Sequence, residues 1–351
     1  MTHEFKEIIE AYSNAKQLGM SAVLATVVDI EGSSYRRPGV GMLILENNKM
    51  IGAVSGGCVE KEVLRQAQYV FVSGKSRMMT YDGKYRLGCE GLLYILIEKF
   101  DITFVTIDAI KEYLVARIPF RIETLYSKTM VEEIGMGSIL RFGDDQQYYF
   151  SETGILDDTL ESFDRDMQPC FRLVIIGTEH DAEQLCKLAA ATKWEVTIVC
   201  SPQHTATLEG FPGANKILYN APEDLEIEVM DRQTAIVLMN HNFAKDLLYL
   251  QALKNAIPIY IGVLGPAKRR EKLLSGLLDY STDITEEFIA LIHGPAGLNL
   301  GAETPEEIAI SIIAEILSVI REQDPIPLHK KKGAIHDTPK KKDKNVIIYK
   351  A

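Results

Sequence analysis

Apolar side chains recur along this chain in two rhythms, one near 3.6 residues and one of short continuous runs, and together they sort most of it into elements. Between Glu4 and Leu18, Phe5, Ile8, Ile9, Tyr12 and Ala15 fall on one helical face, and Gly19 stops the helix. The run Ala22 to Val28 predicts a strand covered on both faces. Gly41 to Leu45 and Met50 to Val54 predict two more, joined by a turn at Asn47 and Asn48. From Val59 to Val72, the positions of Val63, Ala67, Val70 and Phe71 return to helical spacing until Gly74. Strands are predicted at Ser76 to Tyr81 and Leu92 to Ile97, a helix at Thr106 to Ala116, and strands at Phe120 to Leu125, Ser138 to Phe142 and Gln147 to Phe150.

The rhythm lapses over 157–169, where five acidic residues precede Pro169, and a linker is expected there. Beyond it, strand Phe171 to Ile176, a helix to Ala191 and strand Glu195 to Val199 make a βαβ unit, with further buried-type strands at Ala235 to Met239 and Ile257 to Ile261. Thr304, Pro305 and Glu307 form a capping box ahead of a helix whose buried face carries Ile308, Ile312, Ile316 and Val319. The expected fold is α/β: an N-terminal α/β domain (1–156), the linker, a C-terminal Rossmann-like domain with a doubly wound parallel sheet (170–324), and a tail (325–351).

Composition narrows the function classes. The 351 residues are 46% hydrophobic and 25% charged, as expected of a globular protein. Glu4, Glu7 and Glu10 make the N-terminus unlike a secretory signal, and no apolar run could span a bilayer, so no membrane span and a cytoplasmic location are expected. Five scattered cysteines point to free thiols rather than a disulfide scaffold. A net charge of −11 argues against nucleic-acid binding. From Pro325 onward eight lysines face two aspartates, and this +6 tail reads as a solvated extension of a body carrying −17.

Candidate chemistry gathers at Ser55-Gly56-Gly57-Cys58-Val59-Glu60. A glycine pair turns backbone N–H groups outward at a helix start, where Cys58 in the first turn would be stabilised as a thiolate. Two other segments share its character. Gly32-Ser33-Ser34-Tyr35-Arg36-Arg37-Pro38-Gly39 has the composition of an anion-holding loop, and Gly88-Cys89-Glu90-Gly91 sets a second thiol just before a strand. In the second half, Gly177-Thr178-Glu179-His180 occupies the turn where a dinucleotide fingerprint would lie. Glu179 replaces its second glycine, and Cys200-Ser201 stands where an acidic residue would hold a ribose, so the residues argue against ordinary NAD(P) binding while leaving the fold. Asn240-His241-Asn242, with Asp246, follows a strand end and is expected to line the ligand crevice. Cys186, beside Leu185 and Ala189, is expected in the core.

Taken together, these motifs resemble the accessory-factor family for xanthine dehydrogenase and related molybdenum hydroxylases, the XdhC/CoxI-like molybdenum cofactor chaperones. The resemblance runs from about Ala22 to Arg321. It rests on the segments just quoted and on Tyr260-Ile261-Gly262, Leu264-Gly265, Gly297-Leu298, Gly301-Ala302 and Thr304-Pro305-Glu306-Glu307-Ile308-Ala309 with Ser311. Glu179 and Glu90 depart from glycines common in that family. The resemblance implies a carrier rather than a catalyst, a homodimer that binds the molybdenum cofactor (molybdopterin) transiently and serves a xanthine dehydrogenase-type apoenzyme, with a cysteine desulfurase as a further candidate partner. It implies that Cys58 contacts molybdenum or shields its sulfide, with Cys89 near the same pocket. Arg36, Arg37 and the Gly56 and Gly57 N–H groups would hold the pterin phosphate, with Ser55 and Glu60 in the same motif. Gly177, His180, His241, Asn242 and Asp246 would contribute from the second domain. Two other classes stay open: an NAD(P)-dependent oxidoreductase, and a thiol sensor in which Cys58 and Cys89 pair, which needs their Cα atoms within about 7 Å.

Overall fold

The computed structural model describes residues 1–32, 37–82, 91–129, 131–132, 135–143, 146–151, 156–225 and 230–332. Chain contacts divide these into one unit of Met1 and His3–Met167, joined by 326–332, and another of Thr2 with Gln168–Pro325.

The first unit is built on a five-stranded antiparallel sheet. Its strands are β1 (Ala22–Glu31), β2 (Gly41–Leu45), β3 (Met50–Gly52), β4 (Arg77–Asp82) and β5 (Leu92–Lys99), in the order β3-β2-β1-β5-β4. Odd-numbered positions of β1 (Val23, Ala25, Val27) and β5 (Ile95, Ile97) face helix α2 (Cys58–Ser73), whose Val59, Val63, Ala67 and Val70 complete that core. The even-numbered face is covered by α1 (Thr2–Gln17), α3 (Phe104–Val115) and a second antiparallel sheet, β8-β7-β6-β9. That sheet comprises β6 (Phe120–Tyr126), β7 (Gly137–Phe142), β8 (Gln146–Tyr149) and β9 (Glu161–Met167). With both faces covered, β1 is buried from Ala22 to Val28, which accounts for its unbroken apolar run. Strand β9 occupies most of the segment expected to be a linker. It is an edge strand whose Glu161, Ser162, Asp164 and Asp166 are exposed while Arg165 and Met167 turn inward, so its composition imitates a linker.

In the second unit, β10 (Arg172–Ile176), β11 (Glu195–Cys200), β12 (Ala214–Tyr219), β13 (Thr234–Leu238), β14 (Tyr260–Val263) and β15 (Ile292–His293) form a parallel sheet ordered β12-β11-β10-β13-β14-β15. Renumbered from β10, this is the 3-2-1-4-5-6 order of the doubly wound dinucleotide-binding fold. Helices α4 (His180–Ala191) and α8 (Pro305–Arg321) cover one face, and α5 (Phe243–Ala252) and α6 (Ala267–Tyr280) the other, with short α7 (Glu286–Ala290) ahead of β15. Cys186 is buried on α4, where burial pushes its thiol up to about 11, as befits a core cysteine.

Candidate functional site

Strand register brings the strand ends that flank the cysteine and arginine segments to one end of the five-stranded sheet. Gly41 of β2 lies beside Thr26 of β1, and Gly52 of β3 beside Met42. Leu92, which opens β5, pairs with both Glu31 at the end of β1 and Asp82 at the end of β4. The chain therefore leaves the sheet toward 32–40, 53–57 and 83–91 from the same end. Ser33, Ser34, Tyr35 and Arg36 fall outside the described residues, as does 83–90 with Cys89. Cys58 is described by its backbone alone, as the first residue of α2, and Arg37 is exposed on the segment leading back into β2.

The turn before α2 is held at both sides and open at its crest. Val54 and Val59 are fully buried, whereas Gly56 and Gly57 are exposed, and a methyl group built on either would meet nothing within 4 Å. Gly57 adopts φ +111°, a conformation that an L side chain resists. Glu60, at the third helical position and 7% exposed, folds back: its carboxylate accepts the Ser55 N–H at 2.7 Å and the Gly57 N–H at 2.6 Å. This corrects two sequence expectations. Glu60 is committed to the turn rather than to a ligand, and the Gly57 N–H, expected to hold phosphate, is satisfied by the chain's own carboxylate. Glycine at the cap supplies no side-chain acceptor, so the N–H groups opening α2, Cys58 first, are the donors left to the crest.

Toward the other end of β5, away from Leu92, lies a polar cluster between the two sheets that sequence reading missed. Glu98, at the C-terminal end of β5 and 1% exposed, accepts the Ser138 N–H at 2.9 Å and its hydroxyl at 2.6 Å, and Ser138 shares a hydrogen bond with Thr124. Burial pushes the Glu98 carboxyl up to about 7 despite the Ser138 donors and the nearby Arg165 guanidinium. Arg165, 5% exposed, donates from Nη1 to the Gly39 carbonyl at 3.2 Å. The signal for Glu98 was a lone carboxylate at an inward position of an apolar run.

In the second unit the predicted residues part company. Gly177 closes β10 with φ +140°, and a methyl group there would lie 2.5 Å from the Met239 carbonyl oxygen; its glycine serves strand packing. Helix α4 opens with Glu179 at its cap, followed by His180, Asp181 and Glu183, so carboxylates surround the N–H groups that would hold a pyrophosphate. His180 is exposed, and Thr178 hydrogen-bonds His204 at 2.9 Å. His241 takes a left-handed φ of +51° and sets Nε2 3.4 Å from Asp181. Asn242 caps α5, accepting the Lys245 N–H at 3.1 Å, and does not face a ligand through that oxygen. Asp246, expected to line the crevice, is 1% exposed, its oxygens taken by Asn240 at 3.0 Å and Arg269 at 2.7 Å. It positions those two residues instead.

Comparison with known proteins bears on both halves of the chain. Residues 15–82 match the model of the XdhC and CoxI family, and residues 173–316 match that of the XdhC Rossmann domain. The chain belongs to the XdhC and CoxI family. The first match contains the Gly57–Glu60 turn and the second contains β10 to most of α8. Among XdhC and CoxI relatives, a Bacillus subtilis protein whose name describes a probable xanthine dehydrogenase subunit is 28% identical over 329 residues, covering 84% of this chain and 92% of that one. The Escherichia coli molybdenum cofactor insertion chaperone PaoD is 27% identical, covering 92% and 91%. A crystal structure described as a xanthine dehydrogenase from Bacillus halodurans is 26% identical with a TM-score of 0.74, covering 90% of this chain and 96% of its own. No helix among the described residues is long and apolar enough to cross a membrane.

Proposed function

We propose that this chain is an accessory factor that takes up molybdenum cofactor as cargo, holds it transiently at the loop end of the five-stranded sheet, and passes it to a xanthine dehydrogenase-type enzyme. The observation that carries the reading is the strand register, which starts 32–40, 53–57 and 83–91 from one sheet end. The donor set suits the cargo. A cysteine at the first position of a helix is favoured as a thiolate, and a thiolate is the soft ligand that molybdenum and its sulfide accept. The backbone N–H groups opening α2 and the guanidinium groups of Arg36 and Arg37 are donors for the pterin phosphate. In this reading Cys58 holds or shields the metal centre and Cys89 supplies a second thiol. The protein acts as a homodimer in the cytoplasm, with a cysteine desulfurase as a further partner. Size-exclusion chromatography with light scattering checks the dimer.

The test is anoxic purification after co-expression with cofactor synthesis, followed by metal and pterin analysis of wild type and Cys58→Ala. Wild type is expected to carry molybdenum and pterin and to activate a partner apoenzyme, and Cys58→Ala to lose most of both. Full retention by Cys58→Ala removes the thiol from the reading.

The oxidoreductase alternative has the strand order of the second sheet in its favour and the carboxylates around the start of α4 against it. Added NAD or NADP is expected to leave the melting temperature unchanged, whereas binding at 100 times Kd would stabilise by about 2.7 kcal/mol. A clear upward shift would revive that alternative.

A further inference from the structure

Arg165 presents a defect that folding alone does not explain. Its side chain is 5% exposed, Nη1 holds the Gly39 carbonyl, and yet Nε and Nη2 are buried without an acceptor among the described residues. Buried guanidinium donors are normally satisfied, so a group of the right size should be sought beside them. A small cavity of about 10 Å³ adjoins the Arg165 side chain, lined also by Gly39, Gly41, Glu4 and the apolar Phe5, Leu24 and Met167. That space admits one water molecule and excludes a phosphate or a carboxylate ligand. Water also fits the chemistry: it can accept from Arg165 while donating to a carbonyl or carboxylate oxygen on the cavity wall, which a halide cannot do.

Gly39 is a sensitive place to be held. It has φ +99°, its N–H donates to the Val27 carbonyl at 2.7 Å, and the Val27 N–H returns a bond to Val40 at 3.0 Å. A methyl group on Gly39 would lie 3.0 Å from Cδ of Arg165, so the arginine stem also packs against it. The segment thus meets β1 through its backbone and β9 through the Arg165 side chain.

We propose that Arg165 is a positioning residue for the segment from Arg37 to Gly41, gripping Gly39 directly through Nη1 and through one ordered water in the adjoining cavity. Its importance for cofactor holding rests on the function proposed above, because that segment begins at Arg37, directly after Arg36. The grip itself does not.

Atomic-resolution diffraction tests the water, and residue-resolved amide exchange on Arg165→Met and Arg165→Lys tests the grip. We expect an oxygen within hydrogen-bonding distance of Nε and Nη2. Arg165→Met is expected to speed exchange at Gly39 and Val27 about tenfold while the amides between β6 and β7 keep their protection. Arg165→Lys, which retains a cation and a donor, should recover part of that protection; if the methionine variant does not fold, the lysine variant alone decides by an intermediate loss confined to Gly39 and Val27. A dry cavity, a halide in place of water, unchanged exchange, or protection lost uniformly across the second sheet overturns the proposal. Affinity for anoxically purified molybdenum cofactor is measured on the same variants, with an expected drop of about tenfold for Arg165→Met. If Gly39 loosens and that affinity holds, the grip stands and the cofactor assignment to this end of the sheet falls.

Discussion

At the scale of single residues, the turn ahead of α2 shows how one carboxylate can be misassigned from sequence. Glu60 was recognisable as part of a motif, but nothing in the motif distinguishes a carboxylate that meets a ligand from one that returns to its own backbone. With two charge-assisted bonds at 2.6 and 2.7 Å, it sets the backbone from Ser55 to Gly57. Glu60→Ala is expected to cost about 2 kcal/mol and Glu60→Gln, which keeps one acceptor oxygen, about 1 kcal/mol. Gly57→Ala should cost about 1 kcal/mol because φ +111° is strained for alanine, whereas Gly56→Ala, with open space around it, should stay within about 0.5 kcal/mol. Denaturant midpoints with unchanged slopes measure these values. Equal effects at the two glycines would mean that backbone conformation does not govern the turn.

At the scale of elements, legibility followed burial on two faces or strict periodicity. Helix α8 was readable end to end: Thr304 accepts the Glu307 N–H at 3.3 Å, the Glu307 carboxylate accepts the Thr304 N–H at 3.2 Å, and Ile312 and Ile316 are fully buried. Its cap is expected to contribute about 1 kcal/mol, so Thr304→Ala should lower the thermal midpoint, while Thr304→Ser should restore it. The unread strands all lie at sheet edges. Strands β9 and β12 show water a polar face, and β15 is two residues long, so none carries an apolar run of strand length. The loop-end convergence of the first sheet was also beyond sequence, because it depends on register between strands as distant as β1 and β5. The pairing of Leu92 with both Glu31 and Asp82, with those of Gly41 and Gly52, brings it out.

At the scale of the whole molecule, the doubly wound second half was legible because its βαβ unit is local, while the layered first half was not, since its core is assembled from two sheets that exchange no sequence signal. Glu98 sits in that core and makes a distinctive pH prediction. Its carboxyl is raised from 4.5 to about 7 in the folded protein, so between these values the folded chain binds a proton that the unfolded chain has released. Stability from this group is therefore fully present below pH 4.5 and is lost as pH rises through 7, a change of about 3 kcal/mol if the whole shift is expressed. Glu98→Gln is neutral in both states, so its stability relative to wild type should climb across that window and level off above it. Trp194, the single tryptophan, lies in the second unit, so its fluorescence follows the other half; amide exchange in β5 and β7 reports on the unit that contains Glu98. A difference between Glu98→Gln and wild type that is flat from pH 4.5 to 7.5 would show that Glu98 stays ionised throughout. In that case Arg165, rather than a proton, balances its buried charge.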